Sequence, residues 1–234
     1  MKTCIKGGIM ELLTNIDEAE AARYLGCQVN PVPSDIKIRI AKASELIMNT
    51  AIPRYVYHIF TILPENGYEL SGTNFSLMGN DIKKHLEGCH ACVLMAATIG
   101  NEIDQLIRKT QITDMAQAVV LDTCASAAIE NVCDNIEMEI MTALLKDNLY
   151  ITNRFSPGYG DMPLALQKDF CQILDTSRKM GLSVSEGGIM TPFKSVTAVI
   201  GISHQKQQKH AGGCPTCSLQ DTCAFKKGGQ TCGK

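Results

Sequence analysis

Apolar positions between residues 17 and 50 recur at spacings of three and four. Ala19, Ala22, Tyr24 and Leu25 predict a helix over Asp17–Leu25, stopped by Gly26. After a turn marked by Pro31 and Pro33, Ile36, Ile40, Ala43 and Ile47 predict a second helix with Ser34 as its cap. The period then changes. Tyr55–Leu63 is β-branched and aromatic and predicts a strand, and Asn66-Gly67 predicts a tight turn into a second strand over Tyr68–Ser71. Asp81–Glu87 reads as a short helix and the unbroken apolar run Ala91–Thr98 as a buried strand, ended by Ile99-Gly100. An amphipathic helix begins near Asn101, and Asp114–Asp147 is the longest helical stretch, with small residues at 124–128 that suit close packing. A break over Asn148–Tyr159 precedes a helix over Leu164–Met180 and a last strand over Ser195–Ser203. Helices, strands, helices and strand without regular βαβ alternation predict the α+β class.

Composition narrows the functional classes. Of 234 residues, 45% are hydrophobic and 20% charged, as in ordinary globular chains. With 22 basic against 24 acidic residues the net charge is −2, so no cationic surface advertises a nucleic acid or an anionic membrane. Aromatics at 5%, without Trp, argue against base-stacking platforms. No apolar run is long enough for a membrane span or a signal peptide, which predicts a cytoplasmic protein. Eleven cysteines in a reducing compartment point to metal or redox sites rather than a disulfide framework.

Residues 1–204 read as one domain, with an N-terminal helical part over about 11–50, and residues 205–234 as a polar, Cys-rich tail. The tail holds Cys214, Cys217, Cys223 and Cys232, and five lysines face one acid, Asp221. Four thiolates at short spacing fit tetrahedral zinc or an iron–sulfur cluster, and nearby cations favour thiolate formation. Spacing does not choose between the two. Elsewhere, Cys89-His90-Ala91-Cys92 and the helical Cys124, Cys133 and Cys171 read as core thiols. His58, His85, His204 and His210 show no ligand pairing among themselves, and His58 reads as a packed strand residue.

The most informative segment is Asn153-Arg154-Phe155-Ser156-Pro157-Gly158-Tyr159-Gly160-Asp161-Met162-Pro163. Pro157-Gly158 forces a sharp turn, Arg154 can grip a carboxylate in bidentate fashion, and Tyr159 supplies a ring and a hydroxyl. A surface turn beside an ordinary arginine would use the same residues.

Arg154-x-x-x-Gly158-Tyr159, followed by Pro163 and a helix, resembles the activation (reactivation) domain of cobalamin (vitamin B12)-dependent methionine synthase. The helix to Met180, Gly181-Leu182-Ser183-Val184-Ser185-Glu186, Met190-Thr191-Pro192 and Ser195-Val196-Thr197 follow that domain's order, over roughly residues 82–203. The chain is similar to a small stand-alone version of the domain with a Cys-rich tail. The resemblance implies a mixed or antiparallel sheet with long packed helices. It implies S-adenosylmethionine as ligand and an accessory part in methyltransferase activity, with methyl and electron restoring methylcobalamin from the inactive Co(II) corrinoid. By position, Arg154 would bind the ligand carboxylate, Ser156 and Gly158 would give backbone contacts, and Tyr159 would lie near the ligand and the corrin. Ile200 and Gly201 would give backbone contacts on the adenine side. The family's ligand-contacting helix Glu falls at Ser126, with Glu130 one turn later. No Asp-x-His-x-x-Gly corrinoid motif is present, so the corrinoid would sit on a partner such as a methionine synthase, with an electron donor protein beside it. The alternative is a zinc- or iron–sulfur-binding accessory protein or reductive activator that keeps the fold without methyl-donor chemistry.

Overall fold

The computed structural model describes residues 6–9, 12–27 and 32–206. Cys214, Cys217, Cys223 and Cys232 lie outside the described residues, as does His210.

The helical half is organised by capping and periodicity. Asp17 caps α1 (Glu18–Tyr24), its carboxylate accepting the N–H groups of Ala19 and Glu20. α2 (Ser34–Thr50) follows with Pro33, not Ser34, at the cap position, so the predicted Ser34 cap is one residue late and makes no capping bond. α4 (Asn101–Thr113) runs into α5 (Met115–Leu145) through a single extended residue, Asp114, which caps α5 by accepting the N–H of Gln117 at 3.0 Å. No Gly or Pro interrupts the 31 residues of α5, which is why it stays unbroken. Its small residues Cys124, Ala125, Ala127 and Ala128 are fully packed in the core, as close packing requires.

Six of the described strands form one antiparallel sheet. β1 (Lys6–Ile9), β2 (Arg54–Leu63), β4 (Ala91–Thr98), β8 (Ser195–Ser203) and β5 (Tyr150–Ile151) lie in that order, and β3 (Glu69–Leu70) pairs with the end of β2. Residue parity divides β4 between two cores. Val93, Met95 and Ala97 face α1, α2, α4 and α5, while Cys92, Leu94 and Ala96 face the opposite layer. That layer holds α3 (Asn80–His85), α6 (Leu166–Leu174) and α7 (Thr176–Met180), with the hairpin β6 (Ser183–Val184) and β7 (Met190–Thr191) at its edge.

The sequence missed β1, β5 and the β6–β7 hairpin, each at most four residues long. It also read Leu164–Met180 as one helix. Asp175 adopts a left-handed conformation, φ 55°, and divides it into α6 and α7. The Asn66-Gly67 turn is a short 3₁₀ segment closed by left-handed Gly67.

Candidate functional site at the Arg154 turn

The chain reaches the site along the outer edge of β8. Tyr150 and Ile151 pair with Ser203 and Ile202; Phe155 then bridges to Val199 through two backbone bonds of 2.9 and 2.8 Å. Between them Thr152 binds Gly201 twice: its Oγ1 accepts the Gly201 N–H at 2.8 Å and its N–H donates to the Gly201 carbonyl at 3.0 Å. His85 supports this strap from below, with Nε2 2.8 Å from the Asn153 carbonyl and 2.9 Å from Thr152 Oγ1.

Beyond Phe155 the chain turns sharply. Tyr159 N–H donates to the Ser156 carbonyl, Gly158 N–H to the Met162 carbonyl, and Met162 N–H to the Tyr159 carbonyl. Gly158 sits at φ 91°, which its missing side chain permits. Asp161 ties the turn to α3, accepting the N–H of Asn80 at 2.6 Å and of Asp81 at 2.9 Å. Those N–H groups, Asp81 first, hold its carboxyl below the usual range. The Tyr159 side is open: Tyr159 is 56% exposed, with Leu164 and Ile189 also exposed on neighbouring segments.

Arg154 points at α5. Nη2 donates to Glu130 Oε2 at 2.8 Å and to Asp134 Oδ1 at 2.9 Å, and Nη1 lies 3.2 Å from Glu137 Oε1 without hydrogen-bond geometry. The Arg154 side chain is 17% exposed. One guanidinium therefore faces three carboxylates, at positions spaced four and three residues along one helix face. Two turns toward the N-terminus of α5 the same face carries a second cation. Lys194, 14% exposed, places Nζ 2.9 Å from Asp122 Oδ1 and donates to Ser126 Oγ at 2.9 Å.

The structure thus brings Arg154, Ser156, Gly158 and Tyr159 together in one turn against β8 and α5. Ile200 and Gly201 lie behind it, inside the sheet. Ile200 is fully buried opposite Val93, and both backbone polar groups of Gly201 are engaged with Thr152. Sequence reasoning noted Glu130 but missed Asp134, Glu137, Asp122 and Lys194; the spacing 122, 126, 130, 134 along the long helix was the available signal.

Other thiols and imidazoles of the described residues are packed into the fold. Cys89, Cys92, Cys124, Cys133 and Cys171 are buried thiols outside any disulfide; burial pushes Cys89 up to about 11 and Cys92 higher still. His58 stacks on Phe60. His90 and His204 stack at 4.4 Å, a pairing that reading His204 only against other histidines of the chain outside the Cys89–Cys92 motif overlooked. Among the described residues no group of three or more His, Cys, Asp or Glu could hold a metal ion, and no helix is long and apolar enough to cross a membrane.

By sequence, the chain matches no family model and no curated protein. Among solved structures it is similar to the crystal structure of the MetH reactivation domain bound to AdoHcy. The TM-score is 0.64, with 15% identity, over 97% of this chain and 86% of that one. The order of helices and strands that the sequence resemblance implied is therefore matched in three dimensions, and the chain has the fold of the MetH reactivation domain.

Proposed function

We propose that this protein binds S-adenosylmethionine at the Arg154 turn and presents its methyl group to a corrinoid held by a separate protein, a methionine synthase or related methyltransferase. There it supports the reductive methylation that returns the Co(II) corrinoid to methylcobalamin, with the electron supplied by a separate donor protein. The observation that carries this reading is the placement of Arg154. It is a largely buried cation ringed by Glu130, Asp134 and Glu137, beside an open aromatic turn, on a fold whose solved relative holds S-adenosylhomocysteine.

The charge arrangement suits an amino-acid head. A ligand carboxylate joining Arg154 displaces one of its three acids, and the released carboxylate accepts the ligand's ammonium. The cluster has one positive and three negative side chains, so it favours a ligand that adds positive charge. S-adenosylmethionine, with carboxylate, ammonium and sulfonium, does so; S-adenosylhomocysteine, lacking the sulfonium, does not. Ser156 and Gly158 shape the turn, and the exposed Tyr159, Leu164 and Ile189 form the rim that a corrin face would meet. Ile200 and Gly201 enter this reading as the buried strand behind the ligand.

We also propose one zinc or iron–sulfur centre at Cys214, Cys217, Cys223 and Cys232, supported by their spacing and the flanking lysines. Visible absorption of an anaerobic preparation distinguishes iron–sulfur from zinc.

Calorimetric titration tests the ligand. The wild type should bind S-adenosylmethionine more tightly than S-adenosylhomocysteine, and Glu130→Gln should narrow that preference. Arg154→Ala should weaken binding roughly ten- to a hundredfold, the worth of a charge-assisted pair. A wild-type protein that binds neither compound refutes the reading.

A further inference from the structure

Arg39, Arg154 and Lys194 are partly buried cations, and each meets a carboxylate within 3.1 Å. A second group of partly buried basic residues does not. Arg54 and His58 on β2 and Lys179 on α7 are all half-buried, and none of them has a carboxylate partner among the described residues. Instead the basic groups lie against one another. Lys179 Nζ is 3.5 Å from His58 Nε2. Arg54 and His58 stand four residues apart on one strand, so both project from the face on which Val56 enters the core beneath α6 and α7. A Cβ added at Gly181, which ends α7, would lie 3.8 Å from Arg54 Nη1, so the guanidinium reaches over the end of the helix that carries Lys179.

The surroundings supply no acid to this group. On α7, Arg178 is bound to Asp175 at 2.6 Å, which occupies that carboxylate. α6 carries Lys168 and Asp169, both exposed. β4 sets apolar Leu94 opposite His58, β3 sets Glu69 opposite Leu63, five residues along, and β1 pairs Lys6 with Tyr57. Burial first, then Lys179, holds the His58 imidazole below its ordinary range. Without an anion, His58 is therefore neutral and its Nε2 accepts from Lys179. Protonation would set two positive charges side by side, and an anion between them would turn that repulsion into attraction.

We propose that Lys179, His58 and Arg54 bind a phosphate group. Lys179 supplies a point charge with rotatable N–H donors, Arg54 a planar fork of donors, and protonated His58 an N–H at Nε2. A phosphate has oxygens for all three and a second negative charge that a carboxylate lacks. Binding takes up one proton at His58. The site lies in the α6–α7 layer beside β2, whereas Arg154 meets α5 in the other layer, so this assignment stands apart from the ligand reading above.

Proton NMR of the full chain tests it, because the sequence has five histidines and the His58 ring signal is the one that disappears in His58→Gln. The signal is titrated with pH in chloride, acetate, inorganic phosphate and glycerol 3-phosphate, all at one ionic strength. In chloride the midpoint should lie below the ordinary value of about 6.5. A phosphate probe should raise it by about one pH unit, which corresponds to roughly tenfold tighter binding to the protonated site. A rise with both phosphate probes identifies the phosphate group as what is recognised. A rise with inorganic phosphate alone identifies the free ion, and a rise with the ester alone a phosphate carried on a larger molecule. Lys179→Met should raise the midpoint in chloride, since a like charge is gone, and should shrink the phosphate-dependent rise. The wild-type titration stands by itself if that variant does not fold. A His58 midpoint that is the same in all four anions, or that acetate raises as much as phosphate does, overturns the proposal.

Discussion

Replacing Arg154 with Met keeps an unbranched apolar stem and removes the charge, leaving Glu130, Asp134 and Glu137 facing one another on α5. The loss can be worked from the contacts. Two charge-assisted hydrogen bonds of 2.8 and 2.9 Å disappear; fully shielded, each would be worth about 1.5–3 kcal/mol. The acid side chains are 33% and 45% exposed, so solvent screens them and the value falls toward the 0.2–1 kcal/mol of surface pairs. Repulsion between acids three and four residues apart adds about 0.2–0.5 kcal/mol per pair. The sum is about 2 kcal/mol, a fall of roughly 4–8 °C in Tm for a chain of this size.

Thermal melts followed by circular dichroism at 222 nm, in 10 mM and in 1 M salt, measure it. The Debye length shrinks from about 30 Å to 3 Å across that range, so salt weakens the wild-type pairs and relieves the variant's repulsion. The gap between the two proteins should therefore narrow at high salt. Adding Glu137→Gln to Arg154→Met should recover part of the loss, because it removes one of the unneutralised charges. An Arg154→Met protein that melts with the wild type in low salt, or a gap indifferent to salt, would refute the claim that this cluster is held by charge.

Two further outcomes follow from local geometry. Gly201→Ala should lower stability by about 1–3 kcal/mol in urea unfolding, the cost of overpacking. A Cβ there would lie 2.5 Å from Cys89 Sγ and 3.0 Å from Leu86 Cδ2 and Thr152 Cγ2, so Cys89→Ala in the same chain should return part of it. Asp161→Asn should show a pH-dependent deficit: the folded carboxyl is depressed by the N–H groups of Asp81 and Asn80, so its contribution is present above the ordinary aspartate range and vanishes as pH falls through the depressed value. Denaturation midpoints that separate at neutral pH and converge in acid are expected, and a constant separation would contradict this.

The parts of the fold that carry strong periodicity were legible in the sequence. β4 is apolar from Ala91 to Ala97 because both of its faces are covered, and α5 is long because nothing in it breaks a helix and Asp114 caps it. The elements that escaped are those whose existence depends on partners distant in sequence. β5 is two residues long and exists because β8 offers an edge, and the α6–α7 break depends on one left-handed aspartate. The candidate turn was legible as chemistry, since Pro, Gly, Tyr and Arg each imply a local conformation or a reactive surface. Its electrostatic setting was not: the acids that face Arg154 lie 17 to 24 residues earlier on another element, and whether they or solvent meet the guanidinium depends on how the strap over β8 docks on α5.

That docking makes α5 the organising element of the site. Asp122, Ser126, Glu130 and Asp134 repeat at intervals of four, so the row winds slowly around the helix as it rises. One end of the row meets a cation that precedes β8, Lys194, and the other meets one that follows β5, Arg154. Each cation is only slightly exposed, and each is supplied by a segment whose backbone is fixed to the sheet: the Lys194 carbonyl accepts the Ile99 N–H, and Phe155 bridges to Val199. The two cations therefore cannot approach each other without breaking sheet contacts, and their separation along α5 is set by the fold rather than by side-chain flexibility. Exchanging Lys194 and Asp122 for each other reverses the local charges while keeping the pair, and should preserve most of the stability that Lys194→Met alone loses, about 0.2–1 kcal/mol for a pair whose acid is solvent-screened. Urea unfolding of the two variants beside the wild type measures it, and an exchanged protein less stable than Lys194→Met would show that charge pairing is not what this end of the row contributes.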